Sequence, residues 1–277
     1  AQESRGLGDV YKRQGQCVRG NLFFREGQAE KMPVVIWLHP LSYHSGYNEG
    51  YGVQGNTVYH RMAENGFAVI AYDQCGFGLR LQEGSVFYER HQRWSRLGRM
   101  VMDARDAVSF AVEGEGATSG GIPELDRDRV ILLGYSTGAL TAMYTGALDD
   151  RVAGVACFSG WTPLRDAAKA TVTGGNRRLW ELHALLPRLG WFDGREGDIP
   201  FDYHDVLGQV LPKPCLIVTP KRDRFADHSA ITEAIKQLRL AKPKQAEAAL
   251  TWQSPDDTNR FQADQHQQFI NWTKSLR

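Results

Sequence analysis

The chain has 277 residues, of which 42% are hydrophobic, and its 33 Lys and Arg nearly balance its 32 Asp and Glu, for a formal net charge of +1. The cations are spread along the sequence, which argues against a nucleic-acid-binding stripe or a polybasic membrane patch, and no apolar run approaches the roughly 20 residues of a membrane span. We therefore expect a soluble protein with one large core, whose partner is a small molecule rather than nucleic acid or a membrane.

The first residues look unlike the rest of the chain. Residues 4–14, SRGLGDVYKRQ, resemble a translated adapter of the kind used in sequencing libraries. We therefore set residues 1–16 aside as a non-native or disordered leader and expect residues 17–277 to form a single domain. The natural start would then be missing, so the compartment stays unknown, and nothing in the sequence predicts the oligomeric state.

From residue 17 onward, short apolar runs alternate with amphipathic stretches. This alternation predicts the α/β class, with a mostly parallel twisted sheet and helices on both faces. Cys157 and Cys215 lie in apolar runs, so we expect them in core strands rather than in disulfides. In chain order, the predicted strands cover residues 17–26, 34–38, 67–72, 130–133, 152–158, 214–219 and 249–252.

One connection is much longer than a crossover helix requires. Between the predicted strands at 152–158 and 214–219, residues 161–213 form a stretch of about 50 residues. This stretch suits a small helical cap over the carboxyl ends of the strands, although ordinary packing of helices on the sheet is an equal alternative. Its apolar residues are Trp180, Leu182, Leu185, Leu186, Leu189, Trp191 and Phe192.

The motif with the clearest chemistry is VILLGYSTGAL, residues 130–140. An apolar run predicts a buried strand, Gly134 to Gly138 fit the pattern G-x-S-x-G, and a helical pattern follows. Ser136 would sit on a strained elbow above the sheet, because small residues on both sides let the backbone approach closely. The free N–H groups of the next helix could stabilise an oxyanion there. The motif therefore predicts a nucleophilic serine, and a tight turn with an incidental serine is the alternative.

The chain resembles the α/β-hydrolase superfamily from about residue 17 to its end. It is most similar to the bacterial dienelactone hydrolase-like, acetyl xylan esterase-like and prolyl oligopeptidase-like branch, on GYSTG, WLHP, AYDQCGFGLR, FYERHQRWSRLGRMVMDA and ALDDRVAG. The resemblance implies an α/β-hydrolase fold with a short helical insertion after the sixth strand. It makes Ser136 the nucleophile and the backbone N–H groups of Leu41 and Thr137 the oxyanion donors. It implies neither a metal nor an organic cofactor.

Two carboxylates are candidates for the acid of the triad. Asp223 lies directly after a predicted strand, where sites form in parallel sheets, whereas Asp227 precedes a helix that it could simply cap. We therefore predict Asp223 as the acid, and a solvated loop charge is the alternative.

The histidine departs from the family pattern. The usual place, two residues ahead of Phe261, is held by Asn259, and an amide cannot take a proton from serine. The only histidine after the last predicted strand is His266, which falls in the first turn of the final helix if Asp264 and Gln267 form a capping box. We predict His266 as the general base, and a packed or exposed helix residue is an equal alternative.

Four residues are predicted to contact substrate: His39, Tyr135, Trp180 and His204. His39 could instead brace the oxyanion loop, and His204 could hold the cap. His39, His44, His183 and His204 are outside candidates for the base.

The residues together favour a serine carboxylic-ester hydrolase that acts on small or carbohydrate-linked esters through an acyl-enzyme on Ser136. The short, aromatic and leucine-rich cap favours short acyl chains. A prolyl oligopeptidase-like serine peptidase is one alternative. A catalytically weak hydrolase fold used for binding is another, and Asn259 is the residue that favours it.

Overall fold

The computed structural model describes residues 2–13, 16–27, 31–48, 57–113, 123–165 and 176–276. The strands in these residues are β1 (Gln2–Arg13), β2 (Gln16–Arg25), β3 (Met32–Leu38), β4 (Ala68–Tyr72), β5 (Leu125–Tyr135), β6 (Gly154–Phe158), β7 (Cys215–Val218) and β8 (Leu250–Gln253). They form one sheet in the order β1-β2-β4-β3-β5-β6-β7-β8. The β1–β2 and β2–β4 pairs are antiparallel and the remaining pairs are parallel. The predicted mostly parallel sheet is confirmed.

Helices cover both faces of this sheet. The described helices are α1 (Val58–Glu64), α2 (Leu81–Ser85), α3 (Phe87–Arg90), α4 (Arg96–Glu113), α5 (Thr137–Leu148), α6 (Tyr203–Val210), α7 (His228–Ala241), α8 (Pro243–Ala249) and α9 (Ala263–Ser275). Along β3, Ile36 and Leu38 face the core under α4 to α7, whereas Val35 and Trp37 face the core under α1 and α9. Burial on both faces explains why the central strands are continuous apolar runs. Within the described residues, no helix is long and apolar enough to cross a membrane.

The segment expected to be a leader takes part in the sheet. β1 lies at its outer edge and pairs antiparallel with β2, from Gln2 opposite Arg25 to Arg13 opposite Gln16. The free edge of β2 offers unpaired N–H and C=O groups, which a neighbouring strand can satisfy. A disordered leader is therefore not what the structure shows. The foreign origin of the segment, and the division into a leader and a single domain, stay predictions.

The long connection after β6 has two parts. Residues 176–202 contain a π-helical turn (Arg178–Leu182) and two 3₁₀ turns (Pro187–Phe192 and Glu196–Asp198). α6 follows, but it packs against α5 and α7 as an ordinary helix of the outer layer, so the described cap is shorter than the predicted 161–213. Asp202 connects the start of α6 with the segment directly after β6. Its carboxylate caps α6 and also accepts from the backbone N–H of Leu164.

The turn between β5 and α5 brings three backbone segments into contact. Ser136 has φ 54° and ψ −117°, a conformation that non-glycine residues rarely adopt. A Cβ at Gly138 would lie 1.8 Å from the carbonyl oxygen of Leu38, and one at Gly160 would lie 2.0 Å from that of Ser136. Only glycine therefore allows α5 to begin this close to the ends of β3 and β6.

A buried hydrogen-bond network fixes the loop after β3 to α5. The side-chain amide of Gln74 donates to the backbone carbonyl of His39 at 2.7 Å and accepts from the hydroxyl of Thr141 at 2.9 Å. The ring Nε2 of His39 accepts from the backbone N–H of Gln74 at 3.0 Å, so the ring proton is on Nδ1, which donates to the carbonyl of Pro40 at 2.7 Å. This arrangement requires a neutral imidazole, and burial lowers the pKa of His39 to about 4.

Gly138→Ala is expected to destabilise the protein severely, because the new Cβ would collide with backbone rather than with a movable side chain. We expect the free energy of unfolding to fall by about 3 kcal/mol or more. Gly208→Ala in α6 is the matched control, since its Cβ would meet its nearest atom at an ordinary 3.6 Å. Urea denaturation of both variants measures the difference, and equal stabilities would contradict the tight crossing.

The neutral His39 ring is expected to make stability depend on pH. Its pKa is about 4 in the folded protein and 6.5 as the ordinary value, so the unfolded chain takes up the proton first as pH falls. The contribution to the free energy of unfolding, about 3 kcal/mol, is complete above pH 6.5 and is lost as pH falls from there to about 4. Urea denaturation across this interval should show a smaller loss in His39→Gln than in the wild type. His44→Gln, an exposed position on the same loop, should keep the wild-type slope.

Candidate active site

A small pocket lies at the carboxyl ends of β3, β5, β6 and β7, with a cavity volume of about 50 Å³. This is the edge at which sites form in parallel sheets. Its wall includes Leu41, Ser136, Thr137, Leu140, Gly160, Trp161, Asn176, Arg178, Leu179, His183, Leu185, Tyr203, Asp223, Phe225 and Asn259.

The predicted nucleophile and oxyanion donors meet in this pocket. The backbone N–H of Ser136 donates to the carbonyl of Phe158 at 2.9 Å, and its own carbonyl accepts from Ala139 at 3.0 Å. These bonds hold the elbow between β6 and the first turn of α5. Leu41 and Thr137 both line the pocket with Ser136, and their role as oxyanion donors stays a prediction.

Asp223 and Asn259 form a bonded pair in the same wall. Asp223 is 6% exposed, and its Oδ1 accepts from the backbone N–H of Phe225 at 2.9 Å. Its Oδ2 accepts from the side-chain amide of Asn259 at 2.9 Å. The amide oxygen of Asn259 accepts from the hydroxyl of Tyr135 at 2.8 Å. Asn259 therefore stands beside the acid, where the family resemblance places a histidine.

The hydroxyl of Tyr135 is held in its protonated form. Burial and, to a smaller extent, the charge of Asp223 together raise the pKa of this phenol to about 12. The hydroxyl therefore remains a donor, which fixes the orientation of the Asn259 amide from one end while Asp223 fixes it from the other. Tyr135 acts on the site through Asn259 and is not among the described residues of the pocket wall.

His266 is not brought to the pocket. Its ring lies 4.7 Å from that of Phe261, and Phe261 stacks on Trp37 and Tyr135 in the core under α1 and α9. His266 is 5% exposed, and neither ring nitrogen has a hydrogen-bond partner among the described residues. Burial lowers its pKa to about 4, and the charge of Arg61 lowers it as well. His266 therefore makes no hydrogen bond to Ser136 in this arrangement, and its role as general base stays a prediction.

The cap of α9 explains part of this difference. The helix begins at Ala263, and the capping box is formed by Gln262 and Gln265, not by the predicted Asp264 and Gln267. Asp264 instead accepts from Arg260 at 2.7 Å. The amide side chains of glutamine here do what an acidic cap was expected to do, whereas Asp227 does cap α7 as predicted.

The other predicted substrate contacts lie outside the pocket wall. His39 stabilises the loop after β3 through its hydrogen bonds with Gln74. Trp180 packs near Gly190 under the guanidinium of Arg177, and His204 lies at the start of α6, 3.6 Å from Asp205. In the described residues, neither Trp180 nor His204 lines the pocket.

The connection after β6 contributes two ionisable residues to the wall: Arg178, which no motif selected, and His183, one of the outside candidates for the base. His183 Nδ1 lies 2.8 Å from the hydroxyl of Tyr43, on the loop after β3, and its Nε2 is buried with no partner among the described residues. Burial lowers the pKa of His183 to about 4, and the charges of Arg178 and Arg96 lower it as well. The only available signal in the sequence was their place in a connection predicted to cover this edge of the sheet.

The comparisons with known proteins agree on the fold. The chain is similar to a promiscuous CE15 esterase from the marine bacterial metagenome, at 14% identity and a TM-score of 0.69 over 100% of this chain and 81% of the other. It is also similar to a CE15 glucuronoyl esterase from Caldicellulosiruptor kristjansonii, at 18% identity and a TM-score of 0.70 over 99% and 78%. A third structure, called a putative dienelactone hydrolase, from Klebsiella pneumoniae, gives 13% identity and a TM-score of 0.63 over 99% of each chain. At these identities the likeness shows the fold alone.

Among curated proteins none matches this chain. At the level of families, residues 41–210 match Hydrolase_4, described as serine aminopeptidase, S33. The matched residues run from the oxyanion loop through the elbow to the end of α6, more than half of the sequence. The chain is therefore a serine hydrolase with the α/β-hydrolase fold, and it belongs to the Hydrolase_4 family.

Proposed function

We propose that the protein hydrolyses small carboxylic esters, including esters of carbohydrates, through an acyl-enzyme on Ser136. The observation that carries this proposal is the strained elbow, which presents Ser136 at the pocket wall between Leu41 and Thr137. In such a site, the serine oxygen attacks the ester carbonyl and backbone N–H groups stabilise the resulting oxyanion. The esterase names of two neighbouring structures support the same chemistry.

The proton of Ser136 needs an acceptor, and Asn259 cannot serve. Among the described residues of the pocket wall, His183 carries the only imidazole. If Nδ1–H donates to the hydroxyl of Tyr43, Nε2 is left as an acceptor. We assign the base to His183, and we assign to the Asp223–Asn259 pair the structural task of holding the loop after β8 against the elbow. A pKa of about 4 keeps this ring neutral at pH 7 but makes it a weak base, which favours a slow enzyme.

The size of the pocket supports short acyl groups. Its volume of about 50 Å³ is well below the roughly 300 Å³ at which sites for drug-sized ligands begin. Leu140, Leu179 and Leu185 in the wall suit a short apolar chain.

Two other functions keep specific support. The family description, serine aminopeptidase, favours a peptidase that would use the same Ser136. The bonded Asp223–Asn259 pair favours a weak hydrolase that binds rather than turns over its ligand. Release of arylamine from prolyl arylamides would favour the first of these. Failure of Ser136 to react with a fluorophosphonate would favour the second.

A panel of p-nitrophenyl esters tests the proposal. We expect a higher kcat/KM on acetate and butyrate than on palmitate, because the pocket has no room for a long chain. Ser136→Ala should lose at least about a hundredfold in kcat and all fluorophosphonate labelling. Thr145→Ala, a hydroxyl buried elsewhere in α5, is the control for general damage to the helix. A preference for palmitate, or activity that survives in Ser136→Ala, would contradict the proposal.

The base assignment is tested by substitutions at His183, His266 and Asn259. We expect His183→Gln to lower kcat about a hundredfold and His266→Ala to leave kcat nearly unchanged while lowering the free energy of unfolding. The acid limb of kcat/KM should fall near pH 4 rather than near 6.5, because the free enzyme loses activity only when His183 is protonated. Asn259→His should raise kcat and restore activity to His183→Gln, since it returns an imidazole to a place beside Asp223. Loss of activity in His266→Ala with an unchanged fold would reverse the assignment.

A further inference from the structure

Arg178 is a cation in the pocket wall, and no carboxylate of the described residues forms an ion pair with it. It lies in the π-helical turn of the connection after β6, and its guanidinium stacks 4.0 Å from the ring centroid of Phe225. Within the described residues its guanidinium makes no hydrogen bond and no ion pair, whereas its backbone carbonyl accepts from the N–H of His183 at 2.9 Å. Its neighbour Arg177 differs, because it is exposed and donates to Glu181 at 2.7 Å.

Among the described residues, one carboxylate and one further guanidinium act on the charge of Arg178. Arg224 lies on the same aromatic ring, 4.7 Å from the centroid of Phe225. Asp223 is the nearby carboxylate, but its two oxygens already accept from Phe225 and Asn259. Burial lowers the pKa of Arg178, the charge of Asp223 opposes this, and the charge of Arg224 adds to it. A guanidinium stays protonated under such conditions, so the wall keeps a half-buried positive charge.

A second donor stands in the same wall. Trp161 is 3% exposed, and its indole N–H has no hydrogen-bond partner among the described residues. Indole N–H and guanidinium groups are donors only. A wall that offers donors of this kind suits a ligand group that only accepts, and an ionised carboxylate is the group that matches a guanidinium in shape as well as in charge.

Resting on the proposed ester hydrolysis, we propose that Arg178 binds an ionised carboxylate carried by the acyl group of the substrate. The preferred substrates are then half-esters of short dicarboxylic acids. The acyl group is chosen because it remains on Ser136 through both chemical steps, so the wall of this small pocket is its surroundings. The ester carbonyl would lie at the elbow and the second carboxylate at the guanidinium, with Phe225 supporting Arg178 from behind.

A pair of substrates of equal shape tests the charge alone. Ethyl hydrogen succinate carries the carboxylate, and ethyl 4-methylpentanoate carries an isopropyl group of similar size in its place. Ethyl esters are used, with release of ethanol as the readout, because the carboxylate of an aryl succinate would expel the aryl group without the enzyme. We expect the wild type to prefer the succinate, and Arg178→Gln to lower kcat/KM for the succinate about tenfold or more while leaving the neutral ester within about twofold. Rates are compared at about pH 8, where His183 is neutral in both proteins, because loss of Arg178 also raises the pKa of that ring.

Arg177→Gln is the matched control, since it removes an adjacent but exposed guanidinium and should change neither substrate. Arg178→Lys, which keeps the charge without the planar fork, should recover part of the succinate preference. An equal loss on both esters in Arg178→Gln would overturn the proposal, because it would make Arg178 a partner of Asp223 rather than of the substrate.

Binding of succinate to Ser136→Ala, measured by calorimetry, separates this proposal from the proposed function. Weak but specific binding that disappears in the Ser136→Ala, Arg178→Gln double variant supports the anion site even if no ester is cleaved. Succinate binding that is absent, or that is unchanged by Arg178→Gln, would overturn it whatever the esterase assays show.

Discussion

The position of Ser136 at the pocket depends on how closely three backbone segments meet at the turn between β5 and α5. Gly138 lies against the carbonyl of Leu38, Gly160 lies against the carbonyl of Ser136, and Ser136 itself has a positive φ. The strain at Ser136 persists because the surrounding strands and α5 leave it no alternative conformation. The same contacts place the start of α5 beside the loop after β3. One steric constraint therefore positions Ser136, the predicted nucleophile, and Leu41 and Thr137, the predicted oxyanion donors.

The fold could be predicted from the sequence where periodicity and local turn chemistry agree. The apolar run at 130–133 and the glycines of the elbow specify a buried strand, a sharp turn and a helix without reference to anything distant. The edge strand β1 could not be predicted, because pairing with β2 depends on a free sheet edge and not on a pattern within Gln2–Arg13. The start of α9 was misplaced because Gln262 is an unusual N-cap residue, whereas an acidic residue in the first turn is a common signal.

The residues of the candidate site also differ in how far the local sequence predicts their place. Ser136, Asp223 and Asn259 lie in the turn or loop that follows a parallel strand, so their meeting in one pocket follows from the topology of a parallel sheet. Arg178 and His183 lie in a connection of short, irregular turns, where no hydrophobic period fixes the direction of a side chain. The contact between His183 and Tyr43 joins residues 140 positions apart, and no local signal in either segment announces it. His266 was selected by its place after the last strand, but its burial against Phe261 is a property of the assembled core.

The hydrogen bond from Tyr135 to Asn259 gives a structural role to the residue before the serine, where the G-x-S-x-G pattern accepts any residue. Tyr135 precedes the nucleophile, yet its hydroxyl binds a side chain 124 residues later, on the loop that follows β8. A change at either position would leave a half-buried polar group without its partner. Among relatives that keep this pocket, tyrosine before the serine and asparagine after the last strand should be gained and lost together. The residue at position 135 of the motif would then indicate which kind of residue lies beside Asp223 at position 259.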